Sequence, residues 1–171
     1  MRLLFALSLF AFLAACKNES TSESAQPDQA VTVASQADLP AFQLKNEKGD
    51  LINSSTLAGK KVFINIWASW CPPCRREMPS IQALYGKVDK DKVAFLMLSL
   101  DEGMEDATDF MKSNSLSLPI YFPGGQLPSL LEVQSIPATF IFDENGKLLR
   151  RIDGMHNYDS EEFTKLLSGA Q

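Results

Sequence analysis

Hydrophobic and polar positions divide the chain into three stretches. After Arg2, residues 3–15 are almost wholly apolar, a run shorter than the roughly 20 residues that cross a bilayer. Residues 17–37 are rich in Ser, Thr, Gln, Glu and Ala and carry no hydrophobic period, which predicts a disordered tether. From Asp38 onward, strand-like and helix-like patterns alternate. Phe42-Gln43-Leu44 and Leu51-Ile52, parted by residues 46–50, predict a short hairpin. Residues 61–67 are β-branched and aromatic, apolar on both faces except at Asn65, as in a buried strand. Met78, Ile81, Leu84 and Tyr85 recur at helical spacing and predict a helix over 73–88, kinked at Pro79.

Further elements follow. Residues 93–100 predict a second central strand, and 104–114 a helix with Ala107, Phe110 and Met111 on one face. Residues 119–122 predict a short strand, Gly124-Gly125 a break, and 127–133 a short helix. Residues 138–142 and 147–152 flank Asp143-Glu144-Asn145-Gly146, the pattern of an antiparallel hairpin. Asp159-Ser160-Glu161-Glu162 opens a final helix with Phe163, Leu166 and Leu167 inward. This order predicts an α/β fold, a mixed central sheet with helices on both faces. Its parallel neighbours need crossovers, which the two long helices supply.

A length of 171 residues suits one domain, here 38–171, and 45% apolar content supports a core. The net charge of −5, with no long basic run, argues against nucleic acid, which demands Lys and Arg to neutralise phosphate. His156 is the sole histidine. It reads as a loop residue without a role, and neither a metal site nor a cofactor is expected. Arg2, the apolar run and Leu13-Ala14-Ala15-Cys16 have the layout of a secretory signal peptide over 1–15. Leu-Ala-Ala-Cys also resembles the lipobox of bacterial lipoproteins. That resemblance makes Cys16 the lipidated first residue of a tether over 16–37, since several acyl chains anchor where one does not. Ordinary secretion, with Cys16 incidental, is the alternative.

Three cysteines are an odd number; with Cys16 lipidated, Cys71 and Cys74 remain as a pair. In an oxidising compartment, two-residue spacing points to a working redox pair rather than a staple. Trp67-Ala68-Ser69-Trp70-Cys71-Pro72-Pro73-Cys74 lies between the most buried strand and a helix. Residues i and i+3 of a helix share a face, close enough for two sulfurs to bond. The Pro72-Pro73 step disfavours helical torsions at Pro72, so the helix should begin near Pro73. Cys71 then stands at a helix N-terminus, where partial positive charge favours thiolate. Cys71 is therefore expected to be the exposed nucleophile, and Cys74, one turn in, the buried resolving thiol. Zinc is the rival for a Cys-x-x-Cys, but it needs about four ligands, and only His156 and Cys16 remain to add soft ones.

Trp-Cys-Pro-Pro-Cys after an apolar strand, with Ser135-Ile136-Pro137-Ala138-Thr139-Phe140 downstream, resembles the thioredoxin superfamily. Within it the chain is similar to the TlpA/ResA group of membrane-tethered envelope thiol–disulfide oxidoreductases, over about 38–171. The resemblance implies a thioredoxin-like three-layer fold with an N-terminal hairpin and an extra helix–strand unit over 88–127. It implies a cis Ile136–Pro137 bond facing the cysteines, leaving the Ile136 backbone free to pair with a substrate strand. Thioredoxins carry a buried Asp where this chain has Asn65, and the TlpA/ResA group commonly has Asn. Glu77, three residues after Cys74, becomes a partly buried carboxylate beside the thiols, raising their pKa and shuttling protons. Without the resemblance it reads equally well as a solvated Glu complementing the helix dipole.

Trp70, with Pro72, Pro73 and Ile136, is expected to form an apolar docking rim, and Trp67 to be core. Arg75 and Arg76 read as solvated, and able to steer acidic partners and to help hold the Cys71 thiolate. Pro72 removes one N–H from the thiolate and Glu77 opposes its charge, so a reducing role is expected. Partners implied are disulfide-bearing exported proteins or apocytochrome c, a membrane electron donor and the membrane itself. The chain is expected to be a monomer on the periplasmic side of a bacterial envelope. The alternatives are a disulfide oxidase of the same fold, a non-enzymatic binding or scaffold lipoprotein, and a peroxidase, for which the Pro-Thr-x-x-Cys pattern of peroxiredoxins is lacking.

Overall fold

The computed structural model describes residues 38–169. The signal peptide, the tether and Cys16 expected from the sequence lie outside the described residues.

Seven strands and three α-helices run in the order β1 (Gln43–Asn46), β2 (Leu51–Asn53), β3 (Lys61–Trp67), α1 (Pro72–Lys87), β4 (Val93–Ser99), α2 (Met104–Ser113), β5 (Ile120–Pro123), β6 (Ala138–Phe142), β7 (Leu148–Asp153) and α3 (Glu161–Ser168). They form one mixed sheet of order β2-β1-β5-β4-β3-β6-β7. Its centre is parallel, β3 with β4 and β4 with β5, because α1 and α2 carry the chain back between them. β6 runs antiparallel to β3, which brings its first residues to the end where β3 finishes.

The two-residue alternation of strands sorts the core into two layers. Phe63, Trp67, Phe95, Met97 and Ile141 face one side, where Met78, Ile81 and Leu84 of α1, Ala107 and Met111 of α2, and Phe163 and Leu167 of α3 pack. Val62, Ile64, Ile66, Leu96, Leu98, Phe140 and Phe142 face the other. The three layers form with an uneven division. All three α-helices pack on the first face, and the second is closed by two 3-10 turns, Ser54–Leu57 and Ser129–Leu131, with flanking loop residues. Residues 127–133 were expected to be a short helix and contract to one such turn, starting after Pro128, which has no N–H to extend it.

The helix boundary at the cysteines also differs from expectation. α1 starts at Pro72, not Pro73, with Cys71 as its cap. The restriction that Pro73 places on Pro72 is outweighed by the value of prolines at the first two helical positions, whose N–H groups have no intrahelical partner anyway. At the other end α3 is capped by the Ser160 hydroxyl and stopped by Gly169 at φ +71°. Gly124 ends β5 where its N–H meets the Gln43 carbonyl, and a Cβ there would stand 2.9 Å from the Gln43 carbonyl carbon.

A redox-pair candidate site at the end of the central strand

β3 delivers Trp67 to its C-terminal end, inside the sheet between β4 and β6, and the chain turns through 68–70 into α1. Cys71 and Cys74 are disulfide-bonded, with Cα atoms 5.3 Å apart. Cys71 Sγ accepts the Cys74 N–H at 3.3 Å. Pro72 and Pro73 have no N–H, so this is the first amide the helix N-terminus can offer, and it is aimed at the sulfur. The Ile136–Pro137 peptide bond is cis, and the Ile136 carbonyl oxygen lies 3.8 Å from Cys71 Sγ. The two motifs therefore meet, although 65 residues separate them.

Cys71 corrects one expectation. It is only 3% exposed and Cys74 is fully buried, so neither sulfur stands out in solvent. A helix N-terminus is ordinarily open, but here the segment entering β6 covers it. The large exposed side chain is Trp70, at 65%. Trp67 is core, as expected: it is fully buried, and its ring packs against Phe110.

The turn into the site is braced by a residue the sequence did not single out. Asp101, just past β4, accepts from the Ser69 backbone N–H at 2.9 and 3.1 Å, from the Ser69 hydroxyl at 2.8 Å and from the Ser99 hydroxyl at 2.7 Å. Three donors on one carboxylate fix the loop that carries Trp70 and Cys71.

Glu77 lies behind the redox pair, 2% exposed, so it is not a solvated dipole-complementing side chain. Its Oε1 accepts from Asn65 Nδ2 at 2.8 Å and its Oε2 from the His156 backbone N–H at 3.0 Å. Burial outweighs these two hydrogen bonds and pushes its pKa up to about 7. Asn65 Nδ2 also donates to Thr139 Oγ1 at 2.9 Å, which Tyr158 reaches through its hydroxyl at 2.6 Å. Burial raises the Tyr158 pKa, and the nearby Glu77 charge adds to the rise. Glu77, Asn65, Thr139 and Tyr158 thus form one buried polar chain beneath the cysteines. His156 has a role after all: its backbone holds Glu77, and its ring packs edge-on against Tyr158 and Phe163. Thr139 is signalled only by being polar in an otherwise apolar strand. Tyr158 and His156 lie in a loop without periodicity, and no local pattern points to them.

A cysteine pair capping a helix after a central strand, faced by a cis-proline, defines the protein as a thioredoxin-fold thiol–disulfide oxidoreductase. Residues 36–151 match the AhpC/TSA family, and the chain belongs to it. It is 31% identical to "Thiol-disulfide oxidoreductase ResA" of Bacillus thuringiensis over 131 residues, 75% of this chain and 76% of the relative. It is 31% identical to "Sporulation thiol-disulfide oxidoreductase A" of Bacillus subtilis, covering 81% of this chain and 87% of that one. The crystal structure of StoA from Bacillus subtilis superposes with a TM-score of 0.61 at 27% identity, over 74% of this chain and 96% of that one.

Proposed function

We propose that this oxidoreductase is a reductant of disulfides in exported proteins, apocytochrome c among them, held at the bacterial envelope by lipid on Cys16. Cys71 is the nucleophile. Its thiolate attacks a substrate disulfide, one substrate sulfur leaves and takes a proton, and a mixed disulfide forms. Cys74 then attacks Cys71 Sγ, releasing the second substrate thiol and closing the Cys71–Cys74 disulfide. The substrate gains two electrons and two protons, and a membrane electron donor restores the dithiol. The cis Ile136–Pro137 bond sets the Ile136 carbonyl beside Cys71, the Ile136 backbone offers a pairing edge, and Trp70, Pro72 and Pro73 form the rim that meets the polypeptide.

One observation carries the reducing direction: the carboxyl of Glu77 is buried one helical turn from Cys74 with a pKa near 7. Protonated, it stores a proton at neutral pH; ionised, it opposes a second negative charge nearby. Two prolines meanwhile leave the Cys71 sulfur a single helical amide donor. Both features favour thiol over thiolate, and a less stable dithiolate makes a stronger reductant.

The test is a Cys74→Ser variant, which should accumulate a mixed disulfide with exported proteins, while Cys71→Ser captures nothing and does not reduce insulin. A Cys71 pKa near 4, or a potential near the roughly −120 mV of strong dithiol oxidants, would overturn the reducing direction. Intact binding with no thiol exchange would favour the scaffold reading instead.

A further inference from the structure

Two cations beside the redox pair have no part in the chemistry above. Arg75 and Arg76 directly follow Cys74 in α1, and both are exposed. The Arg75 guanidinium carbon lies 5.4 Å from the centre of the Phe110 ring, and that ring rests on the buried Trp67, centres 5.5 Å apart. Pro72, Arg75, Arg76, Phe110 and Asn114 line a groove of about 310 Å³. Pro72 is covalently next to Cys71, so the groove opens beside the sulfur that attacks the substrate.

The fold gives no reason for these charges. Cations early in a helix oppose its dipole, and α1 has no acidic residue in its first turn to offset them. Among the described residues neither arginine pairs with a carboxylate; the five ion pairs that form use Lys87, Lys92, Lys147, Arg151 and Lys165. The Phe110 ring holds Arg75 over the groove, an arrangement that keeps the guanidinium fork free. The chain as a whole carries −5 and repels acidic partners, so a basic groove at this one place gives such a partner a defined landing point.

We propose that the groove docks an acidic stretch of the substrate polypeptide, lying beside its disulfide cysteine. The proposal rests on the exchange reading of Cys71 and Cys74 and names the substrate class for it. The arginines make and break no bonds. They pair with carboxylates through forked hydrogen bonds and raise the encounter rate, an effect that salt screens.

The experiment uses the reduced full chain and three synthetic peptides sharing one intramolecular disulfide, flanked by glutamates, serines or lysines. Rates of disulfide transfer are followed by thiol trapping. At low salt the glutamate peptide should react about 10-fold or more faster than the lysine peptide, and 0.5 M salt should remove most of that gap, as expected when the Debye length falls to a few ångströms. R75E/R76E should invert the order while leaving the serine peptide within about threefold. Equal rates for all three peptides, or a preference that survives R75E/R76E, would overturn the docking proposal and leave the exchange reading standing. A drop shared equally by all peptides, together with a raised Cys71 pKa, would overturn it too, by showing that the arginines act on the thiolate. No exchange with any peptide would overturn the exchange reading, and the docking proposal with it.

Discussion

The side-chain amide of Asn65 donates to Glu77 Oε1 at 2.8 Å, and the oxygen of the same amide, equally buried, meets no donor. An amide is a partner that serves either protonation state of its neighbour. Toward ionised Glu77 it offers N–H; toward protonated Glu77, a half-turn about its terminal bond offers the unpartnered oxygen as acceptor. A carboxylate at position 65 has no such choice. Asn65 therefore offers Glu77 a hydrogen-bond partner in either protonation state inside the core.

Glu77 should make stability fall as pH rises. Its folded pKa of about 7 lies above the ordinary 4.5, so the folded chain binds the proton more tightly than the unfolded chain. That contribution is whole below pH 4.5 and is lost as pH climbs through 7, amounting to about 3 kcal/mol. Urea unfolding of the parent and of Glu77→Gln at pH 4.5, 6 and 8 should show the difference between them growing in favour of Gln with pH. A parallel pair of curves would exclude a raised Glu77 pKa.

The same substitution should act on the cysteines. With its neighbouring charge removed, the Cys71 thiol should titrate lower in Glu77→Gln than in the parent, read by thiolate absorbance. The potential should become more oxidising, by roughly 30 mV for each 1.4 kcal/mol of thiolate stabilisation.

Asn65→Asp should force two carboxyls to share the site. Like charges at hydrogen-bonding distance cannot both ionise there, so the pair should retain one proton to well above pH 7. Carboxyl carbon chemical shifts followed by NMR should show this, along with a stability loss that deepens in alkaline solution.

Thr139 and Tyr158 should be unequal partners. Tyr158→Phe removes one donor and leaves Thr139 Oγ1 bonded to Asn65, a loss of about 1 kcal/mol. Thr139→Val leaves a buried tyrosine hydroxyl and an Asn65 N–H unpartnered, and should cost about 2–4 kcal/mol. A double-mutant cycle in urea measures the shared part.

Asp101→Ala should leave the Ser69 N–H and two serine hydroxyls without their acceptor, destabilising by about 2–4 kcal/mol. Because the Ser69 turn carries Trp70, tryptophan fluorescence should change along with the unfolding midpoint, whereas an equally costly core truncation far from the turn should leave it unchanged.

Local pattern was enough for much of this molecule. β3 and β6 follow from runs dominated by β-branched and aromatic residues, α1 from its 3.6-residue spacing, and the redox pair from four consecutive residues; each rests on neighbours in the chain. α1 starting at Pro72 and the 3-10 turn at Ser129–Leu131 were misjudged by a residue or a turn, because proline torsions and backbone bonding compete there on nearly equal terms. The extent to which Cys71 is covered, the grip of Asp101 on Ser69 and the polar chain from Glu77 to Tyr158 were decided only by folding. Glu77 and His156 are 79 residues apart, Asn65 and Thr139 are 74. Strand pairing brings such groups together, and burial then makes each hydrogen bond obligatory, since a polar group without water must find its partner wherever the topology has placed one.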